Sequence, residues 1–111
     1  MTSYKNLLKQ NEITIFSKND CKYCNLVKET FKELEITKIN EINVSVMDEN
    51  TYKLLIDGLK NDTNHRTFPF VFIDTIFCGG NAEIQEKKAL GTLFEILKKY
   101  NIDFNEDKFI F

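Results

Sequence analysis

The order of patterns along the chain predicts an α/β domain in which a parallel strand–helix–strand unit is followed by an antiparallel hairpin. In the first half, two β-like runs flank a helical run, and this order implies parallel strands joined by a right-handed crossover. In the second half, two short apolar runs lie only two residues apart, which is typical of a hairpin. At 111 residues, 42% of them hydrophobic, the chain fits a single domain, residues 1–111.

The first half begins with a short helical pattern and a strand. Apolar side chains at i, i+3 and i+4 over residues 4–8 predict a first helix, which Thr2 or Ser3 would cap. The β-branched run over residues 12–17 predicts a buried strand. Residues 22–34 then predict a helix with one apolar face, formed by Cys24, Val27, Phe31 and Leu34.

A second strand and a further helix follow. The alternating apolar run over residues 38–47 predicts the strand. Asp48 would cap the helix after it, which we expect to end near Gly58 or Lys60. A polar loop without an apolar period follows over residues 60–66.

The second half predicts a hairpin followed by a short helix. Residues 70–73 and 76–78 are its strands, and Asp74-Thr75 is the turn, although neither turn residue favours a positive φ. Gly79-Gly80 ends the second strand, and a short helix covers residues 82–87.

The end of the chain predicts one last long helix and a less defined tail. The helix is marked by apolar residues between Leu90 and Tyr100. Residues 101–111 combine acidic and apolar residues, ending in Phe109-Ile110-Phe111. They allow an edge strand, a segment packed on a groove, or a mobile tail.

Charge and cysteine content limit the classes of function. A net charge of -2 argues against a nucleic-acid partner, because phosphate binding needs a concentrated excess of Lys and Arg. Three cysteines are an odd count for a secreted disulfide framework, and residues 1–12 lack the apolar core of a signal peptide. No run approaches membrane-spanning length. We therefore expect a cytoplasmic protein that binds neither nucleic acid nor membrane, and we expect it to be a monomer.

The pair Cys21 and Cys24 is the strongest candidate for chemistry. A thiol attacks a disulfide only as its thiolate, so the reactive cysteine needs a lowered pKa. Cys21 lies at the start of the predicted helix, where free N–H groups together with Lys18 and Lys22 favour negative charge. Cys24 lies on the core-facing side of that helix. We therefore expect an exposed Cys21 that attacks and a partly buried Cys24 that resolves a mixed disulfide.

A metal site is the alternative for this pair, since a lone Cys-x-x-Cys is also half of a zinc site. Cys78 and His65 are the only further residues that would complete four ligands. Cys78 lies in an apolar strand, where a buried and inert thiol is the commoner outcome. His65 lies in a polar loop, where we expect it to be exposed to solvent.

Pro69 and Gly79-Gly80 each have two interpretations. A cis bond before Pro69 would leave the backbone of Phe68 free to pair with an extended peptide. The alternative is a trans proline at the start of an edge strand. Gly79-Gly80 either ends a strand or lets a ligand approach the backbone, with the next helix offering N–H groups to a carboxylate.

Three motifs stand at fixed separations in this chain: Cys21-Lys22-Tyr23-Cys24, Thr67-Phe68-Pro69 and Gly79-Gly80-Asn81-Ala82-Glu83. Together they resemble the dithiol glutaredoxins over about residues 3–100, which leaves residues 101–111 as a C-terminal extension. The resemblance implies a thioredoxin-like fold, with a four-stranded mixed sheet and helices on both faces. It also implies reduction of protein disulfides and of glutathione mixed disulfides at the expense of glutathione.

The resemblance also assigns roles to individual positions. Cys21 corresponds to the nucleophile that takes up the glutathionyl group, and Cys24 to the resolving thiol. Lys18 and Arg66, with the neighbouring His65, correspond to residues at the glycine carboxylate of glutathione, and their charge is complementary to it. The other implied glutathione contacts are Tyr23 at the sulfur, Thr67, Phe68 and Pro69 at the cysteinyl backbone, and Gly80, Asn81, Ala82 and Glu83 at the γ-glutamyl end.

Four positions depart from the usual pattern of the family. Lys22 stands where proline is usual, which adds positive charge beside the thiolate and removes the rigidity of proline. Ala82 lacks the side-chain contact that Asp or Ser makes there. The other departures are His65 in place of Gln or Arg, and Phe68 in place of valine.

Glutathione is therefore the expected co-substrate, and disulfide-containing or glutathionylated proteins are the expected partners. No metal is expected in this reading. The alternative is an iron–sulfur module, because some relatives hold a cluster between two subunits through the first cysteine and glutathione. A redox-inert interaction domain is a third class, which the intact pair Cys21 and Cys24 disfavours.

Overall fold

The computed structural model describes residues 3–109, and the side chains of residues 3–107. Its helices and strands follow the predicted order. They are a 3-10 helix at Tyr4–Leu7, β1 (Ile13–Ser17), α1 (Lys22–Glu33), β2 (Ile39–Asn43), a 3-10 helix at Val44–Val46, α2 (Glu49–Thr63), β3 (Phe70–Ile73), β4 (Ile76–Gly79), α3 (Asn81–Leu90), α4 (Thr92–Lys99) and a 3-10 helix at Glu106–Phe109.

The four strands form one mixed sheet in the order β2-β1-β3-β4. Strands β1 and β2 are parallel, whereas β1 with β3 and β3 with β4 are antiparallel. The predicted crossover unit and hairpin are therefore confirmed, and they meet because β1 pairs with both β2 and β3. Within residues 3–109, no helix combines the length and the apolar character needed to cross a membrane.

Apolar clusters cover both faces of this sheet. All five residues of β1 are buried, because side chains alternate between the two faces of a central strand. Ile13 and Ile15 pack in one cluster with residues of α1, α3 and α4. Phe16 packs in the other with Tyr4 and residues of α2. The sheet thus lies between two helical layers, as the thioredoxin-like fold requires.

Strand β2 is shorter than the alternating pattern predicted. It ends at Asn43, whose side chain accepts the N–H of Ser45 at 2.9 Å and caps the 3-10 helix that follows. Val46, which the pattern placed in the strand, is 80% exposed. The prediction of a strand to residue 47 was wrong because a local side-chain bond competes with the sheet ladder. Asp48 does cap α2, as predicted.

Helix α2 continues past its predicted end. Asn64 closes it with a φ of 57°, and the N–H of Asn64 donates to the Lys60 carbonyl. Gly58 does not end the helix. A side chain at Gly58 would lie 3.3 Å from the Tyr4 ring, so the glycine lets the first 3-10 helix pack closely on α2.

The first helix is a 3-10 helix and not an α-helix. Ser3 caps it by accepting the N–H of Lys5 at 3.2 Å, whereas Thr2 lies outside the described residues. Tyr4 is buried, and Leu7 and Leu8 pack against the same apolar cluster. The predicted apolar stripe therefore packs on the domain.

The hairpin turn takes an unexpected conformation at Asp74. Its φ is 59°, in a region that aspartate tolerates better than most residues do. The Asp74 carboxylate accepts the N–H groups of Asn11 at 2.8 Å and Thr75 at 2.9 Å, while its own N–H donates to the Glu12 carbonyl. These bonds to the loop before β1 hold the positive φ.

The C-terminal helices divide at Gly91, not before Leu90. Helix α3 extends to Leu90, and Gly91, with a φ of 81°, separates it from α4. Leu90 is 70% exposed and does not belong to the last helix, contrary to the prediction.

The segment after α4 packs on the core. Ile102 is buried, Phe104 packs against the same cluster, and the N–H of Asn105 donates to the Leu34 carbonyl at 2.8 Å. Of the three predicted alternatives, packing on a groove is the one found up to residue 107. Ile110 and Phe111 lie outside the described residues.

Candidate active site

Cys21 occupies the N-cap of α1, directly after the loop that leaves β1. Its sulfur accepts the N–H of Cys24 at 3.2 Å, and its carbonyl accepts the N–H of Asn25. Cys21 and Cys24 form a disulfide with their Cα atoms 5.3 Å apart. The structure therefore shows the oxidised form of the pair.

Both sulfurs of the pair are largely shielded. Cys21 is 7% exposed and Cys24 is 1% exposed. The predicted order of exposure is correct, but the expectation of an exposed Cys21 is wrong for this oxidised form. The N-cap sulfur lies over the first turn of the helix, where the bond to Cys24 holds it. Tyr23, between the two cysteines, is 55% exposed.

A closed set of hydrogen bonds fixes the loop before Cys21. Asn43 donates to the Asn19 side-chain oxygen, the Asn19 N–H donates to the Ser45 hydroxyl, and the Ser45 N–H donates to Asn43. Each of the three distances is 2.9 Å. No pattern in the sequence pointed to these residues, because they become neighbours only when β2 pairs with β1.

A cleft of about 280 Å³ lies beside the disulfide. Seven of the predicted glutathione contacts line it, and His65 is the eighth lining residue. The lining residues are Tyr23, His65, Thr67, Phe68, Gly80, Asn81, Ala82 and Glu83. The three motifs, which are distant in sequence, are therefore brought together.

Three of the predicted glutathione contacts do not line the cleft. The Lys18 ammonium lies 5.6 Å from the centre of the Phe68 ring, at the edge of the cleft. Arg66 is exposed. Pro69 is buried, and its carbonyl lies 3.2 Å from the position that a side chain at Gly80 would take.

The peptide bond between Phe68 and Pro69 is cis. This observation decides between the two interpretations of Pro69. Among residues 3–109, no hydrogen bond is made to the backbone N–H or carbonyl of Phe68. The backbone at Phe68 therefore has its donor and acceptor available on the cleft wall.

Gly79 ends strand β4, as one interpretation of the double glycine predicted, while the approach of a ligand to the backbone stays a prediction. Gly79 has a φ of 109°, which favours glycine. A side chain at Gly79 would collide with Glu83. The Glu83 carboxylate accepts the Gly80 N–H at 2.7 Å. Glu83, in the first turn of α3, therefore bonds back to the backbone of the N-cap residue. The strand ends here, and the first turn of α3 begins in the cleft wall.

His65 is partly buried, not exposed as predicted. Its ring packs edge-on against Phe70 at 5.0 Å and lies 5.5 Å from Phe77, centre to centre. Its Nε2 atom is buried and has no hydrogen-bond partner among the described residues. A side chain at Gly80 would come within 3.0 Å of this ring. The four phenylalanines that follow the loop, Phe68, Phe70, Phe72 and Phe77, were the available signal that it folds over an apolar surface.

The four candidate zinc ligands do not converge. Cys78 is buried in the cluster with α1, α3 and α4, whereas His65 packs on Phe70 and Phe77 on the other face of the sheet. In the described part of the chain, no group of three or more His, Cys, Asp or Glu side chains is placed to hold a metal. Burial raises the pKa of the Cys78 thiol, which agrees with the predicted inert role. The iron–sulfur alternative needs a second subunit and stays a prediction.

Positive charge next to the disulfide is not neutralised internally. Lys18 and Lys22 form no ion pair with any residue from 3 to 107. The Lys22 ammonium lies 5.9 Å from the centre of the Tyr23 ring. Both ammonium groups therefore lie near rings that line the cleft, and neither is paired with a carboxylate among residues 3–107.

Comparisons with known proteins agree with this geometry. The glutaredoxin family model matches residues 13–77, a span that includes Cys21, Cys24 and Pro69. Glutaredoxin-C8 of Oryza sativa subsp. japonica is 34% identical over 103 residues, which cover 93% of this chain and 73% of that protein. Glutaredoxin-1 of Saccharomyces cerevisiae is 30% identical over 95 residues, covering 85% of this chain and 86% of that protein. The mitochondrial glutaredoxin-2 of Rattus norvegicus is 27% identical over 106 residues, which cover 91% of this chain and 62% of that protein.

Solved structures show the same fold. The buckwheat glutaredoxin–glutathione complex superposes with a TM-score of 0.78 at 28% identity, covering 88% of this chain and 86% of that one. The dithiolic glutaredoxin 2-C-Grx1 of Trypanosoma brucei brucei superposes with a TM-score of 0.77 at 26% identity, covering 87% of this chain and 97% of that one. The likeness extends beyond the matched residues 13–77 and therefore includes most of the helices that surround the sheet.

Proposed function

The chain belongs to the glutaredoxin family of glutathione-disulfide oxidoreductases, and from that premise we propose that Cys21 is its nucleophile and Cys24 its resolving thiol. The observation that carries this assignment is the disulfide between them at the N-terminus of α1, beside an open cleft. A helix N-terminus stabilises a thiolate through its free N–H groups and dipole. The Cys21 sulfur already accepts one such N–H.

With a glutathionylated protein, the reaction takes two exchanges. The Cys21 thiolate attacks the glutathione sulfur, and the protein cysteine leaves as a thiolate that takes up a proton. Cys21 is then bonded to glutathione. A second glutathione, as its thiolate, attacks the glutathionyl sulfur, which forms glutathione disulfide and returns the Cys21 thiolate. The net reaction consumes one free glutathione and converts one mixed disulfide into the protein thiol and glutathione disulfide.

With a protein disulfide, Cys24 takes part. Cys21 attacks one sulfur of the substrate, and the other substrate sulfur leaves as a thiolate. Cys24 then attacks the Cys21 sulfur, which releases the reduced protein and forms the Cys21–Cys24 disulfide found in this structure. Two glutathione molecules reduce that disulfide again. The near-complete burial of Cys24 suits a thiol that reacts with its neighbour and not with solvent species.

We place glutathione in the cleft beside the disulfide. The buckwheat relative is known as a complex with glutathione. Phe68 offers a free backbone donor and acceptor to the cysteinyl residue, in the manner of a short added strand. The first turn of α3, at Asn81 and Ala82, offers N–H groups to the γ-glutamyl carboxylate. Because the Glu83 carboxylate is already bonded to Gly80, we assign Glu83 to holding this turn in place.

The glycine carboxylate of glutathione would lie at the opposite end. Lys18, at the edge of the cleft, supplies charge there, and exposed Arg66 adds charge at the rim. Pro69 is buried behind the cleft wall, and its role is to fix the backbone conformation of Phe68. Thr67 and Tyr23 line the cleft, and Tyr23 follows Cys21 closely enough to flank the sulfur of bound glutathione.

Serine variants of the two cysteines test these roles. Cys21→Ser should lower the glutathione-dependent reduction of a small mixed disulfide by about 10³-fold or more, since the nucleophile is lost. Cys24→Ser should keep that activity and lose most reduction of protein disulfides. The measurement is the rate of glutathione disulfide formation with each substrate. Full activity of Cys21→Ser would contradict the mechanism.

We also propose that the protein works in the cytoplasm as a monomer. One redox-active pair and a buried third thiol suit a reducing compartment. Because several matched relatives carry a mitochondrial name, mitochondria are the competing location. Fractionation of cells with an antibody against the native protein, and sedimentation of the purified chain, test the two proposals separately.

A further inference from the structure

Helices α1 and α3 enclose a second groove, on the far side of Asn81 from the cleft. We call it the α1–α3 groove, and its volume is about 310 Å³. Its lining residues are Leu26, Glu29, Thr30, Glu33, Asn81 and Gln85. Asn81 also lines the cleft, so the groove continues from the proposed glutathione site.

The floor of the groove is polar and fixed. The Gln85 amide donates to the Thr30 hydroxyl at 2.7 Å and to the Asn81 side-chain oxygen at 3.1 Å. The Thr30 hydroxyl in turn donates to the Leu26 carbonyl at 3.0 Å. These bonds tie the two helices together, so the groove is a built feature and not a gap between mobile side chains.

The rim of the groove is acidic. Glu29 and Glu33 are exposed, and they lie four residues apart on one face of α1, where like charges repel each other. Neither forms an ion pair with a residue between 3 and 107. The other lining residues are uncharged, so a cationic group that enters the groove meets two unpaired carboxylates.

Two exposed apolar side chains of α1 lie between this acidic rim and the disulfide. Leu26 is 39% exposed and Tyr23 is 55% exposed, and the two lie one helical turn apart on α1. Tyr23 faces the cleft, whereas Leu26 faces the groove. A chain that reaches the Cys21–Cys24 pair over this side therefore crosses apolar side chains before it reaches the glutamates.

We propose that the α1–α3 groove binds the segment of a protein substrate that adjoins its reactive cysteine, and that it selects segments carrying Lys or Arg. This inference rests on the proposed function and names the kind of protein that the site reduces. Glutathione has two carboxylates and suits the side of Lys18, whereas Glu29 and Glu33 repel it. The cleft near Lys18 thus favours the anionic glutathione half of a mixed disulfide, and the α1–α3 groove favours a cationic protein half.

Paired peptides test the selection. Two peptides carry one glutathionylated cysteine in the same neutral sequence, with two lysines about four to six residues from the cysteine in one and two glutamates at those positions in the other. An extended chain of that length covers the distance along α1 from Cys21 to Glu29 and Glu33. Wild-type protein should reduce the lysine peptide with the higher kcat/KM. Because flanking lysines also favour the departure of the peptide thiolate, the informative quantity is how far a variant changes the ratio.

The variant E29Q/E33Q removes the charge and keeps the shape of the groove. It should lower the lysine-to-glutamate ratio by about threefold to tenfold, the effect of losing two exposed ion pairs. Added salt should lower the wild-type ratio in the same direction. The matched control D57N/D103N removes two exposed carboxylates elsewhere and should keep the wild-type ratio. An unchanged ratio in E29Q/E33Q, or an equal loss in the control, would overturn the proposal.

The mixed disulfide of glutathione with 2-mercaptoethanol separates this inference from the proposed function. It has no peptide to place in the groove, so wild type and E29Q/E33Q should reduce it at equal rates. Failure of the wild type on this substrate would contradict the proposed function itself. Equal rates here, with a changed peptide ratio, support the groove as a specificity surface.

Discussion

At the scale of the residue, the reactivity of Cys21 depends on where its backbone leaves β1. The loop places Cys21 at the N-cap, where a side chain normally accepts an N–H of the first helical turn. Here a sulfur takes the position of the usual oxygen and accepts the Cys24 N–H. The same contact should be stronger for a thiolate than for a disulfide sulfur, because charge strengthens hydrogen bonds.

The pKa of the Cys21 thiol should therefore lie clearly below its ordinary value of about 8.5. Lys18 and Lys22, which have no acidic partner among the described residues, act in the same direction. The measurement is the alkylation rate of reduced Cys24→Ser protein as a function of pH, with Cys21→Ser as the control for other thiols. An inflection near 8.5 would show that neither the helix terminus nor the lysines activate Cys21.

His65 and Gly80 show what residue identity alone does not reveal. The polarity of the loop suggested an exposed histidine, yet the ring packs on Phe70 and Phe77. It fits there because Gly80 has no side chain. The double glycine was predicted either to end a strand or to let a ligand approach the backbone. Its use as space for a ring fifteen positions earlier in the chain depends on tertiary packing.

At the scale of the element, patterns predicted which helices and strands exist better than where they end. Every predicted element is found, since apolar periodicity reflects burial. The ends of β2 and α2 were wrong because single polar groups decide them. Asn43 caps a 3-10 helix within an apolar alternation, and Asn64 takes the left-handed conformation that closes α2. Side-chain groups of this kind compete with the backbone hydrogen bonds of a helix or sheet, and this competition produces no periodic pattern in the sequence.

The edge strand β2 is joined to α1 by an ion pair that makes its stability depend on pH. The Lys28 ammonium and the Ser17 hydroxyl both donate to Glu41 at 2.8 Å. These bonds, that of Lys28 above all, lower the pKa of Glu41 below 4.5. A carboxyl group with a lowered pKa in the folded state stabilises the protein above its unfolded-state pKa. This contribution disappears as the pH falls through the folded-state pKa.

Glu41→Gln should therefore lower the free energy of unfolding at pH 7 and have a smaller effect in acid. We expect a loss of up to about 1 kcal/mol at pH 7, because the pair is partly exposed and screened by solvent. The measurement is urea unfolding of both proteins at pH 7 and at pH 3. Molar salt should reduce the difference at pH 7. A loss of equal size at both pH values would point to packing and not to the charge of Glu41.

At the scale of the whole molecule, the candidate site lies at one end of the sheet, and the apolar core covers the two faces of the sheet. The three motifs could be found in the sequence because each one is local, and the fold brings them together at one end of the sheet. Sequence reasoning did not identify the Asn19, Asn43 and Ser45 contacts, which depend on the pairing of β1 with β2. The α1–α3 groove also went unnoticed, because neither helix alone shows which polar face the other will meet. What the sequence leaves open is therefore the set of contacts between elements.

Cys78 reports on the integrity of the whole domain. It is 5% exposed, its thiol donates to the Ile76 carbonyl at 3.5 Å, and it lies in the cluster that joins the sheet to α1, α3 and α4. Burial also raises its pKa. A thiol reagent needs both access and a thiolate. Cys78 should therefore react only when this layer of helices opens.

In C21S/C24S protein, where Cys78 is the remaining cysteine, labelling in native buffer should be about 100-fold slower than in concentrated urea, or slower still. With increasing urea, the labelling rate should rise as the near-ultraviolet circular dichroism signal of the native fold is lost. The matched control is C24S/C78A, whose Cys21, released from the disulfide and activated by the helix N-terminus, should react quickly in native buffer. If Cys78 reacted in the native protein as fast as in urea, the packing of α1, α3 and α4 over β4 would not protect it.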